Sequence, residues 1–124
     1  MGVIARIGAA KLLPVLRLDS TDRALSAVDA CLEAGLSVVE VTTTTLDWES
    51  LLEQVTRSHP GVLVGLGTVT RPEQARRGLD RGAHFLVSPF PVPAVRAALP
   101  PGTVLIEGGM TVREVVEAAG HGVA

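Results

Sequence analysis

The feature that most restricts how this chain can fold is an alternation repeated five times. Short apolar runs rich in β-formers recur at nearly even spacing: Leu13 to Leu18, Val38 to Thr42, Val62 to Val69, His84 to Ser88 and Thr103 to Glu107. Segments with helical periodicity separate them. In the first, Ala24, Leu25, Val28 and Leu32 recur at three- and four-residue steps, and Gly35 stands where a glycine cap belongs. The second is expected to begin after Asp47 and carries Leu51, Leu52 and Val55. The third opens with Thr70 as cap, Pro72 in the first turn and Glu73 three residues on. A short, proline-opened segment follows from Pro91 to Leu99, and Thr111 with Glu114 repeats the capping box before Val115, Val116 and Ala119.

Strand then helix, five times over, predicts parallel strands joined by right-handed helical crossovers. The strand runs are continuously apolar rather than alternating, which suits strands covered on both faces. Two α/β architectures fit the pattern: a doubly wound open sheet, or part of a (β/α)₈ barrel. A complete barrel takes at least ~200 residues; this chain has 124.

Composition narrows the functional classes. At 47% hydrophobic and 19% charged residues, the chain can build a core and is too apolar for disorder. A net charge of −2, with Arg76-Arg77 the one basic cluster, offers nothing to nucleic acid. Cys31 is the single cysteine, so neither an internal disulfide nor a multi-cysteine zinc site is expected. His59, His84 and His121 are too scattered to suggest a metal centre, and Ser88 has no histidine placed for a triad. The longest uncharged stretch, Gly82 to Val95, is broken by prolines and is shorter than the ~18 apolar residues of a membrane span. Arg6 and Lys11 interrupt the apolar N-terminus, so no signal peptide is expected and a cytoplasmic location is.

Polar residues gather where the strands end. Arg17 and Asp19 follow the first, Glu40 and Thr42 to Thr45 the second, Thr68 the third, Ser88-Pro89 the fourth, and Glu107 with two glycines the fifth. The carboxyl ends of parallel strands are where both candidate architectures build their sites. Five such ends together point to a site rather than to strand ends that merely meet solvent.

At Leu13-Pro14-Val15-Leu16-Arg17, Val39-Glu40-Val41-Thr42 and Gly65-Leu66-Gly67-Thr68-Val69, the chain resembles the 2-keto-3-deoxy-6-phosphogluconate (KDPG) and 4-hydroxy-2-oxoglutarate (KHG) aldolases. Gly82-Ala83-His84-Phe85-Leu86-Val87-Ser88-Pro89 and Gly108 to Glu114 continue the match, so the likeness runs from about Lys11 onward. The resemblance implies a (β/α)₈ barrel, here a single incomplete domain of about five βα units over residues 1–124. It also implies a homo-oligomer, typically a trimer, and a cofactor-free lyase that splits a 2-keto sugar acid into pyruvate and an aldehyde. In such chemistry a lysine amine forms an imine with the keto group, and a carboxylate shuttles protons. By the same resemblance Glu40 is the general acid/base, while Thr68, Arg17 and Pro89 lie against the substrate, a pyruvate-like keto acid.

Three departures qualify the match. Thr44 stands where part of the family carries an arginine that grips the substrate carboxylate. Glu107 stands where proline is usual, and a second carboxylate facing the Glu40 pocket would raise one of the two pKa values and repel an anionic substrate. The family's imine-forming lysine lies on the sixth strand, and alignment of Thr111 to Val123 places it just beyond Ala124. Lys11, the one lysine present, falls at the start of the first strand. The expectation is therefore a truncated aldolase barrel, inactive alone. The alternatives are a non-catalytic keto-acid-binding module, or a half-barrel subunit completed by another chain. The first and fifth strands are expected to present unpaired edges.

Overall fold

The computed structural model describes residues 1–124. The chain runs α1 (Val3–Ala10), β1 (Val15–Leu16), α2 (Thr21–Glu33), β2 (Val38–Thr42), α3 (Trp48–Ser58), β3 (Leu63–Gly67), α4 (Pro72–Asp80), β4 (Phe85–Ser88), α5 (Pro93–Ala98), β5 (Leu105–Glu107) and α6 (Val112–Gly120). All five strands pair in parallel, in the order β1-β2-β3-β4-β5. Strand order decides between the two architectures. A doubly wound sheet reverses direction at a switch point, whereas a barrel adds each strand beside the last. The order here never reverses, so the chain is a partial (β/α)₈ barrel.

Side chains on the two faces of the sheet enter different cores. Leu16, Val39, Val41, Val64, Leu66, Leu86 and Leu105 point outward, against Ala24, Val28, Leu51, Leu52, Val55, Ala75 and Val95 of the helices. Val38, Leu63 and Phe85 point inward and form a smaller core with Leu13, Val87, Val104 and Ile106. Because β2 and β3 are buried on both faces, their sequences carry no polar alternation below Glu40.

Helix α1 was not anticipated. Val3, Ile7 and Ala10 lie one helical face apart and close the inner core from below, while Arg6 donates to the Gly61 carbonyl at 2.8 Å. An apolar N-terminus is thus a plug for the barrel. The start of α4 also differs from expectation, because Arg71 rather than Thr70 occupies the cap. Gln74 Oε1 accepts from the Thr70 and Arg71 N–H groups at 3.0 and 3.1 Å, so glutamine does the work assigned to Glu73. The Thr111–Glu114 capping box forms as expected.

The expected bare edge on β5 needs correction. Ala124 N–H donates to the Leu105 carbonyl at 3.0 Å, and Ala124 O accepts from Glu107 N–H at 2.9 Å. The last residue thereby pairs alongside β5. On the other side, β1 has no partner beyond β2, and Val15 is half exposed.

Candidate active site

Inward-facing positions change character along each strand. On β2, Val38 is core, Glu40 follows two residues later and Thr42 ends the strand. On β3 the same positions are Leu63, Gly65 and Gly67, paired with Val38, Glu40 and Thr42 in register. Both glycines make room for a neighbour. A Cβ on Gly65 would overlap the Phe85 ring, and one on Gly67 would overlap the Glu40 carboxyl group. Glu40 therefore lays its carboxyl over Gly67, toward the carboxyl rim of the sheet.

Glu40 as a whole is only 4% exposed. Burial pushes its pKa up from 4.5 to about 7, with the positive charge of Arg17 pulling the other way. At neutral pH it is poised to take or give a proton, which is what a general acid/base requires.

Arg17 extends from the end of β1 across the rim. Its guanidinium donates to Thr44 Oγ1 at 2.9 Å and to Thr68 Oγ1 at 3.1 Å. Thr42 Oγ1 lies 2.8 Å from Thr44 Oγ1, so three hydroxyls and one cation form a continuous polar strip. Thr68 is held at φ 60°, a left-handed conformation that a β-branched residue adopts only under constraint. A guanidinium fixed by hydroxyls, beside a proton-exchanging carboxyl, can hold a small carboxylate and move a proton near it.

Arg17, Glu40 and Thr68 are thus brought together. Pro89 is set apart: it stands exposed on the rim after β4, with its carbonyl packed against Gly108. Lys11 caps the C-terminus of α1 before β1 begins, at the amino-terminal end of the sheet and away from Glu40. Glu107 does not enter the pocket. Its side chain is fully buried on the helix side, where Oε2 accepts from Arg96 at 2.6 Å and Oε1 from Val92 N–H at 3.3 Å. The feared repulsion between two carboxylates does not arise. Thr42 and Thr43 were counted among the polar residues at the end of the second strand but given no individual role, and the run of four threonines was the one signal for them.

The cluster lies on an open inner face rather than in an enclosed cavity. The surface concavity of about 260 Å³ between α4 and α5, lined by Pro72, Leu79, Leu99 and Pro100, is elsewhere. No three His, Cys, Asp or Glu side chains converge as a metal site, and no helix is long and apolar enough to cross a membrane.

Comparison with known proteins decides the lineage of this arrangement. The family model described as KDPG and KHG aldolase matches residues 3–124. The chain belongs to the KDPG and KHG aldolase family. A 2-dehydro-3-deoxy-phosphogluconate aldolase of Dickeya dadantii is 30% identical over 115 residues, covering 92% of this chain and 54% of the relative. The KHG/KDPG aldolase of Escherichia coli K12 is 30% identical over 111 residues, covering 89% of this chain and 52% of the relative. Among solved structures, the KDPG aldolase of Legionella pneumophila superposes with a TM-score of 0.85 at 31% identity, over 95% of this chain and 58% of that one. That structure is described as holding pyruvate captured as a covalent carbinolamine intermediate. This aldolase-family chain spans about half the length of the curated relatives it matches.

Proposed function

We propose that these residues form the keto-acid-binding and proton-transfer part of an aldolase that cleaves a 2-keto sugar acid to pyruvate and an aldehyde. One observation carries this reading: the Glu40 carboxyl group, buried over Gly67 with its pKa raised to about 7, beside the hydroxyl-held Arg17 guanidinium. Arg17 and Thr68 hold the pyruvyl carboxylate, and Glu40 exchanges the protons of imine and enamine chemistry. The guanidinium reaches Thr44, so a cation supplied by β1 occupies the place where part of the family carries its own arginine. Pro89 shapes the rim.

These 124 residues by themselves do not turn substrate over. Their one amine-bearing side chain, Lys11, is exposed at the far end of the sheet. Pyruvate titrated calorimetrically into the chain should bind without consumption, and borohydride should trap no adduct. A stable reduced adduct on Lys11, or retro-aldol turnover by this chain unaided, overturns the reading.

A second reading, a half-barrel subunit completed by further barrel units, is favoured by apolar exposure. Met110, Val112, Val115 and Val116 on and before α6, and Val15 on β1, are all at least half exposed. Restored cleavage on co-expression with a C-terminal half of a family member would establish it. A cooperatively melting, monodisperse monomer would count against it.

A further inference from the structure

Thr68 is the strained element of the rim, and something must keep it strained. Left-handed geometry is unfavourable for a non-glycine residue, and a branched Cβ makes it worse. Such a conformation persists only where the surroundings over-determine it. Two contacts from one residue do so here. Thr43 donates its hydroxyl to the Thr68 carbonyl oxygen at 2.8 Å, and its backbone N–H donates to the Gly67 carbonyl at 3.0 Å. The carbonyls on both sides of the Thr68 peptide unit are therefore tied to the residue just beyond β2. From the other side, Val69 N–H donates to the Val87 carbonyl at 3.0 Å. Between these anchors the Thr68 side chain is turned toward β1, where its hydroxyl accepts from Arg17.

We propose that Thr43 is a positioning residue: it locks Thr68 in the left-handed conformation that presents the Thr68 hydroxyl to Arg17, and so tunes a carboxylate site it does not touch. The carboxylate part of this inference rests on the keto-acid reading above; the conformational part stands on the hydrogen bonds alone. Thr43 is half-buried and contacts Thr68 through its main chain, so its hydroxyl acts on shape and adds no donor to the pocket. Without that hydroxyl, Thr68 relaxes toward extended backbone, its Oγ1 leaves Arg17, and the guanidinium keeps only Thr44.

Three variants of the full chain test this. Thr43→Val keeps the side-chain shape and removes the donor, Thr43→Ser keeps the donor, and Thr68→Gly supplies a residue that adopts positive φ unaided. In NMR spectra, wild type and Thr43→Ser should show the strong intraresidue HN–Hα Overhauser effect of a left-handed Thr68, and Thr43→Val should lose it. Pyruvate affinity should fall about fivefold to tenfold in Thr43→Val, the effect of one lost hydrogen bond, and return with Thr43→Ser. Persistence of the left-handed signature in Thr43→Val overturns the proposal whatever pyruvate does. Absence of pyruvate binding to wild type instead defeats the keto-acid reading, and the Thr68 signature still decides on Thr43. Should Thr43→Val be too unstable for its NMR spectrum to be assigned, urea unfolding of the four proteins of the cycle (wild type, Thr43→Val, Thr68→Gly and the double variant) decides. Thr43→Val must cost less in the Thr68→Gly background than in wild type, and an equal loss in both backgrounds also overturns the proposal.

Discussion

The two ends of the barrel's inner face use the same strands for opposite purposes. At the amino-terminal end Val38, Leu63 and Phe85 interlock, and α1 closes them off from water. Two residues further along β2, Glu40 replaces bulk with a carboxyl group, and at the end of β3 Gly67 leaves the gap that this group fills. The first arrangement maximises contact; the second gives up contact to seat a carboxyl group that burial makes reluctant to ionise. A barrel can afford that at one rim because the stability comes from the other end and from the helix layer.

The largest test of this division is Phe85→Ala. Phe85 is fully buried over Gly65, so truncation should cost about 3–5 kcal/mol in urea unfolding. A loss below about 1 kcal/mol, far short of a filled aromatic site, would mean that the amino-terminal end is no more a core than the rim is.

Next comes the pH dependence of stability in Glu40→Gln. In wild type the carboxyl is protonated in both folded and unfolded chain below pH 4.5. Between 4.5 and about 7 the folded state keeps a proton that the unfolded chain has released. Stability therefore falls as pH rises through this window, by about 3 kcal/mol in all, and stays reduced above it. Glutamine cannot ionise, so the variant should lose this decline and unfold later than wild type at pH 8. Parallel stability profiles for the two proteins would show that Glu40 ionises without cost, as an exposed carboxylate does.

The smallest expected effect has opposite signs in two measurements. Thr68→Gly should gain about 1 kcal/mol of stability by relieving left-handed strain. The same change should weaken pyruvate binding, because the hydroxyl that holds Arg17 is gone. Loss in both measurements would show that Thr68 is packing rather than strained function.

Most of the frame was legible because it depends on local pattern. β2 matched its expected bounds residue for residue, since a run buried on both faces declares itself by continuous apolarity. β1 shrank to Val15–Leu16 because only β2 pairs with it. The α4 cap was misassigned because threonine, proline and glutamate form a plausible start one residue too early, and only the path of the Gln74 side chain shows which N–H groups are satisfied. Of the residues gathered at the rim, Glu40, Arg17 and Thr68 were singled out by motif likeness, while Thr43 was not. Its hydroxyl meets a residue 25 positions away, a contact that no local spacing encodes.

The amino-acid sequence by itself determined the alternation of strands and helices, the family likeness and the set of polar residues gathered at the strand ends. Those follow from periodicity and side-chain chemistry, which act between near neighbours. Tertiary structure alone decided which way the side chains point. It turned Glu107 outward to Arg96, laid Glu40 inward over a glycine, and brought Arg17 from β1 to hydroxyls on two other segments. A charge takes its pKa and its partner from whatever the fold packs around it, and only the assembled sheet and its helices supply that surrounding.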